Sequence, residues 1–534
     1  MKRKDFLILF CLLLLVPTLH NSNTTTSFQN IGDVNSITIP LNSIEDFEIY
    51  DNNQFSIYAI SGNGSELDPW IIRDKDVYDP TADIGIYIHD TTNYFQLINC
   101  TVNANRYDVC IEDVAPGTAT VKNCSFELAA TGLGIINSAD AYVRDCLAYD
   151  CVSAGFEADN ASDILYMYNY AYDCDRGFEI KSSYSADMFW CEAYDSDYDD
   201  CFHVEDSWDV AVQNCIANGA VANGIYFENC TDGYAGLNSC SDNVEHGISI
   251  WDSPNTFVEL NTFVNCDLGV YDDDVEDLLS LDVQWDNTVN GETLFYGENL
   301  VDFTFSATPR PEIILVNCTN IMINGHNDFA QHTTVNILVH FSKSVTIQNC
   351  DFIDTGVALA FFNSEDFKII GCSFTGDEMI GGMSTFSSSK GLIQYNTFHD
   401  ILYAGIAVND YSSNITIIEN NLENMYLYAI SLDFETEDNY IYHNNFINCS
   451  SFYSSYGVDQ GTDNFWYNET LQEGNYWDSW VSGPYDIYGS AGSQDLYPLG
   501  GIYVIPEYSI STTMISIVSL LTLLSLVVIG LRRK

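Results

Sequence analysis

Positive charge is what this chain has least of. Its 534 residues carry 17 Lys and Arg against 76 Asp and Glu, a formal net charge of -59. Six of the 17 sit in the terminal segments, at Lys2, Arg3, Lys4, Arg532, Arg533 and Lys534, so the body between them is more acidic still. Such a surface repels nucleic acid, which excludes DNA and RNA as partners. It attracts divalent cations and keeps a crowded surface protein soluble; adaptation to high salt accounts for the same composition. Metal-type clusters are lacking too: the nine His and eight Met are scattered, with no close His pair at ligand spacing. No nucleophile triad, phosphate loop or zinc motif is present. Nor does any repeat unit hold an apolar pattern long enough for a helix of ~10 residues, which argues against leucine-rich and helical repeats.

What is present is a beat. "VKNCSF" at 121–126 returns as "VQNC" at 212–215, "IQNCDF" at 347–352 and "IIGCSF" at 369–374. Cys100, Cys124, Cys146, Asn169, Cys191, Cys215, Cys240 and Asn261 follow one another at gaps of 24, 22, 23, 22, 24, 25 and 21. Gly134, Gly155, Gly177, Gly224, Gly247 and Gly269 keep the same period, each followed by an apolar residue. After a break, Cys350, Cys372, Asn396, Asn420 and Asn444 resume it. Two residue classes sharing one period indicate a solenoid. Each unit holds runs of 3–5 residues rich in Val, Ile, Tyr and Phe, bounded by Asn, Asp, Gly and Ser, which read as short strands. The expected fold is therefore all-β: a parallel β-helix of 16 or 17 coils, ~4.8 Å apart. Cys suits the inside of a narrow coil. The Asn before it is expected to stack as an amide ladder buried at the corner.

The ends depart from the repeat. "MKRKDFLILFCLLLLVP" reads as a secretion signal over residues 1–27, carrying Cys11. An apolar stretch over 512–531, followed by the basic tail 532–534, reads as a membrane span with its tail inside. The body then divides into a first solenoid segment with an entry cap (28–278), a seam (279–312) and a second segment with a Tyr/Trp-rich exit cap (313–508). It would sit outside the cell, anchored at its C-terminus, with glycans or other envelope proteins as partners. Sixteen further cysteines outside a cell suggest disulfides. Stacked residues, however, hold their Cβ atoms ~4.8 Å apart where a disulfide wants ~3.8 Å. Most are expected to be reduced fillers, with Cys146, Cys151 and Cys174 the candidate exception. Of ten Asn-x-Ser/Thr sequons, five fall in the Asn-Cys phrase and are expected to be buried; Asn160, Asn414 and Asn468 are the better glycosylation candidates.

"GNGSELDPWII" (62–72), "DNTVNGETLFY" (286–296), "IILVNCTNI" (313–321) and "GNYWDSW" with "YPL" (474–480, 497–499) resemble the NosD-type right-handed parallel β-helix. This is a pectate-lyase-like solenoid, and the likeness is closest to the anchored surface proteins of archaeal envelopes. The resemblance spans nearly the whole body. It implies a right-handed coil and either a copper-maturation role or, in another branch, polysaccharide binding or cleavage. The scattered His and Met argue against copper.

The densest polar cluster covers three coils. "AYDC" (148–151), "AYDC" (171–174) and "AYDS" (193–196) align, putting Asp150, Asp173 and Asp195 in one column and Asp175 and Asp197 in the next. One strand later Glu157, Glu179 and His203 align, as do Asp159, Lys181 and Glu205. Asp173, Asp175, Asp195, Asp197, Asp199 and Asp200 are candidate ligands for Ca²⁺. Asp173, Asp195, Arg176 and Glu205 are candidate catalytic groups, because adjacent and alternate coils space carboxylates ~5 and ~10 Å apart, bracketing glycosidase geometry. Tyr172, Trp190, Tyr194 and Tyr198 are candidate sugar platforms. Alternation along "YMYNYAY" would place Tyr166, Tyr168, Tyr170 and Tyr172 on one face. The plain alternative is a hydrated acidic turn face. Two readings remain open: a surface scaffold or adhesin that binds carbohydrate or Ca²⁺, and a polysaccharide lyase or glycosidase at the Asp173–Glu205 cluster.

Overall fold

Three short strands per turn stack rung upon rung into three parallel sheets, first over one segment and then over a second. The structure, a computed structural model, describes residues 44–305, 310–327, 329–449 and 455–505. The expected leader, membrane span and basic tail lie outside these residues. Among the described residues no helix is long and apolar enough to cross a membrane. The solenoid has about 17 turns and almost no helix.

In the first segment a sheet of 10 longer strands starts at Phe47–Ile49 and Ile84–His89 and ends at Leu268–Tyr271. A second sheet, with Leu165–Met167 and Asp187–Phe189, and a third, with Tyr170–Tyr172 and Glu192–Tyr194, complete each coil. The register repeats the sequence beat: Phe156 pairs with Phe178 and Phe178 with Phe202. Inside the coil these rings stack with centroids 4.9 Å apart. In-register stacking of like side chains at the rung spacing fills a narrow core without voids. Phe352, Phe374 and Phe398 repeat the arrangement in the second segment at 5.0 and 4.5 Å.

The cysteine ladder is real, with one substitution in the reading. Cys100, Cys124, Cys146, Asn169, Cys191 and Cys215 are all buried. The next member is Asn238, whose Oδ1 accepts from the Cys215 amide at 2.9 Å. Cys240 instead lies in a third-sheet strand and pairs with Ala217. Asn261 and Asn287 extend the buried column, each Oδ1 accepting from the preceding rung's amide at 3.0 Å. Asn396, Asn420, Asn444 and Asn475 do the same in the second segment.

The residue before the ladder position is not buried, contrary to expectation. Asn99, Asn123, Asn229, Asn317 and Asn448 are exposed and adopt left-handed φ of 50–53°. Asn tolerates that region because its short side chain bonds locally. The expected rung-to-rung bond does form, Asn123 Nδ2 donating to Asn99 Oδ1 at 3.4 Å, but on the surface. All sixteen described cysteines, including Cys146, Cys151 and Cys174, are buried free thiols, so the anticipated exception is not found.

The seam is short. A helical turn at Val275–Leu278 and an antiparallel pair of Thr288–Val289 with Glu292–Thr293 interrupt the coils. Phe295–Glu298 already pairs with Ile313–Val316 as the first rung of the second segment. The two segments pack together at their outer faces. The Val335 amide donates to Asp267 Oδ2 at 2.6 Å, and the Leu268 amide to Glu312 Oε2 at 3.4 Å. The Tyr271 ring meets Phe362 edge-on with centroids 5.7 Å apart.

Candidate functional site

The outer face of the first long-strand sheet should be solvated, since alternation sends one residue in two away from the core. Over three rungs it instead carries a buried row of charged groups. Glu157 pairs in register with Glu179 and Glu179 with His203, as the spacing predicts. Beside them run Asp159, Lys181 and Glu205. Glu179 is 1 % exposed and His203 4 %.

Charge pairing makes this burial tolerable. Glu179 is held by Arg176 and by Lys181 Nζ at 2.7 Å. Glu157 accepts from the Tyr107 hydroxyl at 3.0 Å and has Lys181 Nζ at 3.9 Å. Burial and the Glu179 charge push its pKa up. Arg176 Nε donates to Asp199 Oδ2 at 2.7 Å. Despite that guanidinium, burial and then Asp200 push the Asp199 carboxyl up to about 6.

The next group centres on Asp200, itself 1 % exposed. Its Oδ2 lies 2.7 Å from His203 Nδ1, and its Oδ1 accepts from the Asn223 amide at 2.7 Å and Asn223 Nδ2 at 2.9 Å. Burial works against a charged imidazole, but the hydrogen bond and charge of Asp200 outweigh it and raise the His203 pKa. A carboxylate on Nδ1 fixes the ring's orientation. Nε2 of His203 has no hydrogen-bond partner; Glu205 Oε2 lies 3.9 Å away. Asn223 Nδ2 also reaches Glu245 Oε2 at 3.3 Å. The Asp200 and Glu245 oxygens it joins are therefore at most about 6 Å apart. Burial, then Asp200 and Asp199, push Glu245 up to about 9.

Glu245 dictates a pH dependence. Its folded-state pKa lies above the ordinary 4.5, so the folded chain keeps a proton that the unfolded chain releases. The stabilisation is complete below about pH 4.5 and is lost as pH rises through 9. Chemical denaturation between pH 5 and 9 should show stability falling by a few kcal/mol, and Glu245→Gln should flatten the slope. An unchanged slope in the variant would place the titration elsewhere.

The residues that build these coils match a known family. The family described as "Right handed beta helix region" matches residues 43–198 and 299–471, more than half of the chain. The chain belongs to this right-handed β-helix family. Several solved β-helices are similar. Pectate lyase Pel9A matches 41% of this chain and 69% of its own at 11% identity, TM-score 0.28. The A-module of the Azotobacter vinelandii mannuronan C-5 epimerase AlgE6 matches 74% and 87% at 14% identity, TM-score 0.22. DFA-IIIase from Arthrobacter chlorophenolicus A6 without its lid matches 68% and 87% at 8% identity, TM-score 0.29. At these identities the likeness is one of fold alone. No curated protein matches the sequence.

Within this right-handed β-helix the expected aspartate cluster divides. Asp173 and Asp195 are exposed in left-handed corners after the third strand, and Asp197 is exposed too. Asp175 is half-buried. Burial and the neighbouring Asp195, Asp150 and Asp197 raise the Asp173 pKa, and burial with Asp197 raises those of Asp175 and Asp195. Asp200 is buried, and Asp199, Arg176 and Glu205 are half-buried, beside the row of Glu157, Glu179 and His203 instead. Among the described residues one set of three, Asp199, Asp200 and His203, brings ligand atoms within 4.8 Å of one another. It suits calcium poorly: one donor is a nitrogen and one carboxylate already holds a guanidinium.

The aromatics divide as well. Tyr166 is fully buried, because the left-handed corner at Tyr168 (φ 56°) interrupts the alternation before Tyr170 and Tyr172 turn outward. Tyr172 stacks on Tyr194 at 5.0 Å on the third sheet, and Trp190 on Tyr168 at 5.3 Å at the left-handed corner before it. Tyr198 is exposed. Asn160 and Asn414 are exposed and Asn468 half-buried. Sequence reasoning missed Tyr107, Asn223 and Glu245. The beat could have found Asn223, which lies 23 residues after Asp200 and 23 before His246 in the same column.

Proposed function

We propose that this is a cell-surface, carbohydrate-active β-helix whose polysaccharide lies along the outer face of the first long-strand sheet, with His203 as the acid–base group. One observation carries the reading: a buried imidazole, oriented through Nδ1 by a buried carboxylate, keeps an enclosed Nε2 without a hydrogen-bond partner, 3.9 Å from Glu205 and beside further titratable groups. Perturbed, buried titratable groups gathered on one face are the usual mark of a working site. In this reading Asp200 positions the ring, His203 exchanges a proton with the glycosidic oxygen, and Asp199 is a second proton carrier near neutrality. The body stands outside the cell, tethered through 512–531.

The test is release of new sugar ends from a panel of polysaccharides by the intact chain. His203→Gln should lower the rate by about 10²-fold or more, while circular dichroism confirms the fold. Equal rates for variant and parent would remove His203 from the chemistry. Binding without any cleavage would favour the scaffold reading, for which the exposed Tyr168–Trp190 pair is the supporting observation.

A further inference from the structure

The charge balance around His203 restricts what can bind there. Two cations stand at the site, and each is already held by two carboxylates. Arg176 pairs with Glu179 and Asp199. Lys181 pairs with Glu179 at 2.7 Å and approaches Glu157 at 3.9 Å. Three carboxylates, Glu157, Glu179 and Asp199, thus engage two cations. Asp200 and Glu205 add two more carboxylates on either side of His203. Even with His203 protonated, the row carries more negative charge than positive, within a chain of net charge -59. A sugar carboxylate placed against Nε2 would meet like charge in a partly desolvated setting, where repulsion is least screened.

Resting on the functional reading above, we infer that the polysaccharide handled at His203 carries no carboxylate or sulfate: a neutral glycan. The inference also decides the reaction. Elimination across a glycosidic bond needs a ring proton made acidic by an adjacent carboxylate, and a neutral sugar has none. Cleavage is therefore hydrolysis. The bond between the anomeric carbon and the leaving oxygen breaks, and the oxygen of water joins the anomeric carbon. The leaving oxygen takes a proton from His203 Nε2, and the proton lost by water passes to a carboxylate of the row.

The experiment compares neutral glucans, mannans and galactans with polygalacturonate and alginate, using the intact chain. Binding and sugar-end release are both measured in about 0.5 M salt, where the Debye length falls below ~8 Å and repulsion from the rest of the molecule is screened. A neutral polymer should be preferred by at least about tenfold. Glu157→Gln with Glu179→Gln frees Lys181, leaves Arg176 held by Asp199 alone, and should narrow that preference. Should this double variant fail to fold, Asp159→Lys on the rim makes the same change of charge. Polyuronate handled as well as neutral polymer, or a preference that no charge variant narrows, overturns the inference and leaves the functional reading standing. If no polymer of either class binds or is cleaved, the functional reading itself fails.

Discussion

Cys191→Glu should cost about 4 kcal/mol or more of stability, enough to disrupt the coils around it. Cys191 is fully buried in the ladder. Asn169 lies on one side, its Nδ2 4.0 Å from the thiol, and the next coil bonds through Ile216 N to the Cys191 carbonyl at 3.0 Å. A carboxylate there has no cation to meet and no water to keep. The control is Cys191→Asn. Asparagine already fills equivalent rungs at Asn169, Asn238 and Asn261, where its amide bonds to adjoining coils. That variant should fold with stability close to the parent's. Coils in a solenoid support mainly their neighbours, so urea denaturation followed by intrinsic fluorescence should show an early local transition for the glutamate variant alone. If it unfolds like the parent, the ladder does not hold the core.

Asp495→Ala is the second large effect, and it concerns the exit cap. Asp495 is fully buried and accepts from the Asn475 amide at 2.7 Å, Trp477 Nε1 at 2.9 Å and the Tyr497 amide at 3.0 Å. The carboxylate ties the cap to the last rung, where Tyr476–Trp477 pairs with Asn445–Phe446. Removing it strands two buried donors, at about 1–3 kcal/mol each before relaxation, and a third that is part-buried. It also loosens the cover over a sheet edge that would otherwise recruit another chain. The variant should melt earlier and self-associate, read by scanning calorimetry and light scattering. Asp495→Asn, which keeps one acceptor oxygen, should be milder. A monomeric alanine variant with the parent's melting temperature would show the cap is held by other contacts.

The fold was legible because one rung is a sentence the chain repeats. Stacking forces equivalent positions to share size and polarity, so the spacing of Cys124, Cys146 and Asn169 reports their common column directly. The same rule places Glu157, Glu179 and His203 in one column, as their register shows. It misled at Cys240, where Asn238 two residues earlier holds the ladder position and the cysteine moves to the next strand. It misled again at Tyr168, because a single left-handed residue resets the alternation and nothing in "YMYNYAY" marks which residue will turn. The exposed Asn99 and Asn123 were misjudged for a related reason. Corner and interior are adjacent in sequence, and only the sign of φ separates them.

The sequence by itself determined the period, the all-β coil, the inward column and which charged residues share a face, because in a parallel stack register follows from spacing. The tertiary structure alone decided which members of the acidic cluster are buried. Asp173 and Asp195 project from corners into solvent, while a few residues on Asp199 is half-buried against Arg176 and Asp200 is buried against His203. It also decided the meeting of the two segments, where Asp267 bonds across to Val335, 68 residues later, and Glu312 back to Leu268, 44 residues earlier. Neither separation is simply one beat of the repeat. Such contacts depend on how two finished surfaces fit, and no local pattern encodes that.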